Sequence, residues 1–240
     1  VQHVCIEDRR LPAKYVVALL HAVSESNYVT HLELRKVHAD DSTAKAVAKC
    51  LRQNLSLTMV NLSKNKFSDA GCRQIASALR DAGAESNLRR LNLEQNRIGD
   101  KGIDQLCRAV RAVPSLTTLK LGKNNFGLQG LRSIALLLRR PTCLKSLDLR
   151  SNRVGNQGAT ILADALAGNR TLLYLYLNRN NLDNRGVARL AAALTHNQHL
   201  RTLDLQRNDF GDTGAAAFVQ ALAHDNDSFV KLKIRHTAVS

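Results

Sequence analysis

The chain has 240 residues, of which 44% are hydrophobic, 4% aromatic and 23% charged, and 35 Lys and Arg against 20 Asp and Glu leave a net charge of +15. That apolar content is enough to bury a core, yet no apolar run approaches the roughly 18 residues of a membrane-spanning helix. The cysteines (Cys5, Cys50, Cys72, Cys107 and Cys143) are odd in number and form no CxxC, which argues against a disulfide framework and for a reducing, intracellular compartment.

Short strand-like segments recur along the chain. The first two are weak: Val1, Val4 and Ile6, then Val29, Leu32 and Leu34. Six full copies follow: LTMVNLSKNKFSDAG from Leu57, LRRLNLEQNRIGDKG from Leu88, LTTLKLGKNNFGLQG from Leu116, LKSLDLRSNRVGNQG from Leu144, LLYLYLNRNNLDNRG from Leu172 and LRTLDLQRNDFGDTG from Leu200. Phe229, Leu232 and Ile234 begin a last one. The starts at 1, 29, 57, 88, 116, 144, 172, 200 and 229 keep a step of 28, apart from three extra residues before Leu88 and one before Phe229. A fixed period of this length marks a solenoid in which each turn buries its apolar side against the next.

Each position in the phrase has an expected role. Positions four and six share one face of a short strand and point inward. Position nine is Asn65, Asn96, Asn124, Asn152, Asn180 and Asn208 in the six full copies. There the strand ends, and a buried side-chain amide is expected to satisfy backbone groups that have lost their ladder partners, forming an asparagine ladder. Asp69, Asp100, Asn156, Asn184 and Asp212 at position thirteen are expected to cap the helix that follows. Gly71, Gly102, Gly130, Gly158, Gly186 and Gly214 are expected to let that helix approach the strand. Apolar residues then recur at helical spacing, as in Val187, Leu190, Ala191 and Leu194.

This pattern resembles the leucine-rich repeat family, in its long ribonuclease-inhibitor-like class with one strand and one α-helix per unit. The resemblance implies an α/β leucine-rich-repeat solenoid, a horseshoe with an inner parallel β-sheet and outer α-helices. It implies a single domain over residues 1–240 and a non-enzymatic, cofactor-free interaction module, with the cytoplasm or a cytoskeletal or ciliary assembly as its expected setting. Arg9, Val37 and Thr237 depart from the family's asparagine. Because Val1 starts inside a strand-like segment and the last strand has no helix after it, further domains or neighbours are expected to cover both ends of the solenoid.

Positions three, five, seven and eight should line the inner face. Position eight reads Asp8, Lys36, Lys64, Gln95, Lys123, Ser151, Arg179, Arg207 and His236, while Arg35, Lys120, Arg150 and Arg235 add charge beside it. An excess of this size draws acidic partners, so an acidic protein surface or tail is the preferred ligand. Tyr174 and Tyr176 are alternate residues of one strand, flanked by Arg150, Arg179 and Arg207, and aromatics with arginine are the usual composition of a binding hot spot. RNA in a large ribonucleoprotein is the competing reading. The 23 arginines against 12 lysines suit carboxylate and phosphate alike, but the scarcity of aromatics disfavours base stacking. No catalytic motif is present, no membrane contact is expected, and the HxxH of His196 and His199 lacks a third metal ligand nearby in the sequence. The sequons at Asn54, Asn61, Asn169 and Asn226 are read as chance matches.

Overall fold

The computed structural model describes residues 2–222, 229, 231–235 and 237, in two compact units divided after Asn125. In the first unit, strands β1 (His3–Glu7), β2 (His31–Arg35), β3 (Met59–Asn61), β4 (Arg90–Asn92) and β5 (Thr118–Lys120) alternate with helices α1 (Ala13–Ser24), α2 (Asp41–Gln53), α3 (Asp69–Ala82) and α4 (Asp100–Val110). In the second, α5 (Leu128–Leu138), β6 (Ser146–Asp148), α6 (Gly155–Leu166), β7 (Tyr174–Tyr176), α7 (Asn184–Leu194), β8 (Thr202–Asp204), α8 (Asp212–Leu222) and β9 (Lys231–Lys233) continue the pattern.

Within each unit the strands pair in parallel and in chain order. Register follows the sequence period, His31 with Met59 and Tyr174 with Thr202. Met59 pairs with Arg90 because a 3₁₀ turn over Gly83–Glu85 absorbs the three extra residues of that copy. Each turn is an α/β coil, with the strand on one side and the helix on the other.

The core forms where strand and helix meet. Leu91 and Leu93 in the first unit, and Leu147, Leu149, Leu175 and Leu177 in the second, are fully buried. So are the matching helix stripes, Ile103 and Leu106 of α4 and Val187 and Leu190 of α7. Residues three and five point to the opposite face, which the helices leave open.

Three sets of polar side chains stitch one turn to the next. At position nine, Asn96 donates to the carbonyls of Leu62 and Leu93 at 3.0 Å each and accepts from the Phe67 N–H at 3.0 Å. Asn180 donates to Leu149 and accepts from Asn152, while Asn208 accepts in turn from Asn180. The amides thus form continuous chains of hydrogen bonds under the turns. Val37 breaks the row, yet its own N–H and that of Ala39 still donate to Asn65.

The second set sits at the helix starts and corrects the sequence reading. The capping side chain lies at position twelve, where Asp40, Ser68 and Asp183 accept from the N–H two residues on. Position thirteen reaches forward instead. Asp41 Oδ1 accepts from the N–H groups of Ser68 and Gly71 in the next turn, and Asp69 Oδ1 from those of Gly99 and Gly102. Asn184 does the same for Gly211 and Gly214. This explains the glycines: a Cβ at Gly71 would lie 2.3 Å from Asp41 Oδ1, and one at Gly186 would lie 2.4 Å from Asn156 Oδ1. Their small size admits the previous turn's side chain, not a strand.

Asn54, Asn169 and Asn197 form the third set. Asn169 donates to the Leu138 carbonyl at 2.7 Å, and Asn197 to that of Leu166 at 2.6 Å, each joining a helix end to the loop one turn later. Asn54 and Asn169 were legible only as sequons. Buried, with their amides engaged, they are structural; Asn226 lies outside the described residues.

Candidate functional site

The position-eight residues are not part of the strands. Asp8, Lys36, Lys64, Gln95, Lys123, Ser151, Arg179 and Arg207 all adopt the left-handed conformation, with φ between 54° and 59°. That geometry costs a non-glycine residue about 1–2 kcal/mol. It turns each N–H toward the next strand, where it extends the ladder: Lys64 donates to Glu94 at 2.8 Å, Arg179 to Gln206 at 3.0 Å and Arg207 to Arg235 at 3.1 Å. Within each unit these residues thereby follow one another in a column along the corner where strands end. His236, the last member, lies outside the described residues.

In the first unit this column begins with charge pairs. Lys36 bonds Asp8 and Arg35 bonds Glu7, each carboxylate coming from the turn before. The Lys36 hydrogen bond holds the Asp8 carboxyl below its ordinary range. Lys64 and Lys123 are exposed and Lys120 is half-exposed, and none of the three makes an ion pair among the described residues.

In the second unit, β7 places Tyr174 opposite Ser146 and Thr202, and Tyr176 between Asp148 and Asp204. Both acids are buried, 4% and 7% exposed, on the open face of the sheet. Their side chains close the strand ends: Asp148 accepts from the Arg150 N–H and Asp204 from the Gln206 N–H, as Asn61 and Asn92 do in the first unit. Asp148 also holds the Arg150 guanidinium at 2.7 Å, and Lys233 lies 3.7 Å from Asp204. Tyr176 is therefore half-buried between them. Burial first, then Asp148 and Asp204, push its phenol pKa up, and Lys233 Nζ stands 5.8 Å from its ring centroid. Tyr174 is the more exposed ring.

Arg179 and Arg207 stand apart from this group, exposed, with no ion pair among the described residues. With Asn181, Asn208 and Asp209 they line a shallow open hollow of about 380 Å³. Arg235 is exposed at the next corner. The structure thus divides the sequence-derived candidates into ion-paired residues (Arg35, Lys36, Arg150) and residues without an ion pair among the described residues (Lys64, Lys120, Lys123, Arg179, Arg207). The strand-end role of Asp148 and Asp204 escaped the sequence reading; its signal was the Asp or Asn at position five of Leu57, Leu88, Leu144 and Leu200 copies.

His196 and His199 are both exposed, His196 Nδ1 lying 2.7 Å from Thr195 Oγ1, and no group of three potential metal ligands occurs among the described residues. Nor is any helix there long and apolar enough to cross a membrane.

A leucine-rich repeat family model matches residues 53–76, 81–107, 114–135, 140–163, 168–191 and 196–219. These are the six copies that carry the position-nine asparagine, and together they cover more than half of the chain. The chain belongs to the leucine-rich repeat family. No curated protein matches it over its sequence. Among solved structures, the leucine-rich repeat chain is similar to leiomodin-1 actin-binding site 2, with a TM-score of 0.51 and 18% identity over 62% of this chain and 87% of that one. At that identity the likeness is one of fold, which 198 solved chains share by structural match.

Proposed function

We propose that this leucine-rich repeat chain is a non-enzymatic interaction scaffold that binds an acidic protein surface or tail through the open face of its strands and the basic corner column. The observation that carries the reading is the state of the charges. The acids of the open face in the second unit, Asp148 and Asp204, are buried and engaged, whereas Lys64, Lys120, Lys123, Arg179 and Arg207 have no ion-pair partner among the described residues. A partner therefore meets mainly positive charge, carried at Lys64, Lys123, Arg179 and Arg207 on left-handed corners that fix the backbone. A reducing, intracellular setting fits five free cysteines, of which Cys5 and Cys143 are exposed. Leiomodin-1 contributes an actin-binding site with a related fold, and that makes actin a first candidate to include and a cytoskeletal setting the one to test first.

RNA is the competitor. Stacking surfaces for bases are scarce, and the Tyr176 ring already carries Lys233. Capture of partners from native lysate at physiological salt, with and without nuclease, separates the two. The same protein partners are expected in both samples; a bound set that collapses when RNA is destroyed contradicts the proposal.

A further inference from the structure

We propose that Arg179 and Arg207 form a two-arginine clamp that takes one carboxylate side chain of an acidic partner segment in the hollow they share with Asn181, Asn208 and Asp209. This rests on the scaffold reading above and assigns it a locus and a ligand group. The two arginines occupy the same corner position in adjacent turns, with φ of 59° and 58°. Parallel strands lie about 4.8 Å apart, so the two guanidinium stems rise side by side. Each backbone is pinned by its ladder bond, at 3.0 Å for Arg179 and 3.1 Å for Arg207.

The chain itself shows what this column accepts. In the first unit Asp8 occupies one corner and bonds the Lys36 of the next, while Glu7 bonds Arg35 beside it. A carboxylate between adjacent turns is the internal solution there. At the hollow the preceding corner is Ser151, which supplies no charge. Asp209 lines the hollow but makes no ion pair with either arginine among the described residues, so both planar forks of N–H donors are open to a carboxylate from outside.

The other lining residues complete the hollow. Asn208 is committed to the carbonyls of Leu177 and Leu205, so it is a rigid wall. Asn181, exposed and left-handed, offers an amide at the rim. Asp209 is exposed on the same wall. Its negative charge opposes either anion, so the preference for an acidic peptide rests on the Asp8–Lys36 and Glu7–Arg35 pairs, in which the chain's own corner takes carboxylates.

The test is a fluorescence-anisotropy titration of the full chain with a labelled Glu-rich peptide, beside a single-stranded RNA of equal charge. Three proteins are compared: wild type, Arg179→Gln/Arg207→Gln, and Arg73→Gln/Arg132→Gln, which removes the same charge from exposed positions on helices α3 and α5. The corner pair is expected to weaken peptide binding at least about tenfold, as loss of a hot spot does, and the helix pair to change it no more than about threefold. Arg179→Gly/Arg207→Gly, which relieves the left-handed backbone, should reproduce the loss with folding intact. Equal weakening by the two pairs overturns the clamp and leaves the scaffold reading standing. A wild-type chain that does not bind the peptide removes both, and RNA binding that depends on the arginines where peptide binding does not also overturns the clamp.

Discussion

Asn96 illustrates how much a single buried side chain holds at the residue scale. Its amide bonds three backbone groups from two turns. If it is removed, the Leu62 and Leu93 carbonyls keep Asn65 and Asn124 as donors, and the Phe67 N–H is the group left unpaired. Asn96→Ala should cost about 1–3 kcal/mol, the penalty of one buried polar group left unpaired; urea unfolding would measure it. The thiols give a second check. Burial pushes Cys50 and Cys72 up to about 12 and raises Cys107 as well, whereas Cys5 and Cys143 are exposed. A thiol reagent at neutral pH should label Cys5 and Cys143 quickly and the other three only on unfolding. The asparagine row was legible because one residue type recurs in strict register. Asn54 and Asn169 were not, because their short motif reads equally well as a glycosylation site, and only burial distinguishes the two.

At the element scale, each helix start is tied to the one before. Gly102→Ala would place a Cβ 2.6 Å from Asp69 Oδ1 and 2.7 Å from Ile98 Cγ2, whereas Gly168→Ala meets nothing within 4 Å. The first should destabilise by about 1–3 kcal/mol through overpacking, and the second should be neutral or stabilise by about 0.5 kcal/mol; thermal melts of the two variants test the contrast. The caps also predict a pH dependence. The Arg185 N–H first, then Asn156, hold the Asp183 carboxyl below its ordinary value, and Ser42 does so for Asp40. A native pKa below the unfolded one, about 3.9 for Asp, means stability that is present above that value and lost as pH falls through the lowered one. Asp183→Asn should therefore lose less stability between pH 5 and pH 3 than wild type does, as read from urea midpoints. Strand and helix placement followed from the periods of two and 3.6 residues. Cap register did not, because positions twelve and thirteen both carry cap-forming residues, and only the path of the Asp41 and Asp69 side chains shows which one serves the next turn.

For the whole molecule, a net charge of +15 says that acidic partners are attracted but not where they bind. The basic column was visible in the sequence as a list of residues. Its division was not, because pairing depends on which carboxylate reaches across turns: Asp8 and Glu7 neutralise Lys36 and Arg35, and Asp148 neutralises Arg150. In the second unit Arg179 and Arg207 make no ion pair among the described residues, and the hollow they line gives their charge a shape. The most direct measurement of the central claim is a competition in which unlabelled single-stranded RNA displaces a labelled Glu-rich peptide from the wild-type chain at physiological salt. The peptide is expected to bind, and RNA of equal charge to displace it only at about tenfold or greater excess. Displacement at equal or lower concentration, or no peptide binding at all, would contradict a scaffold built for acidic protein partners.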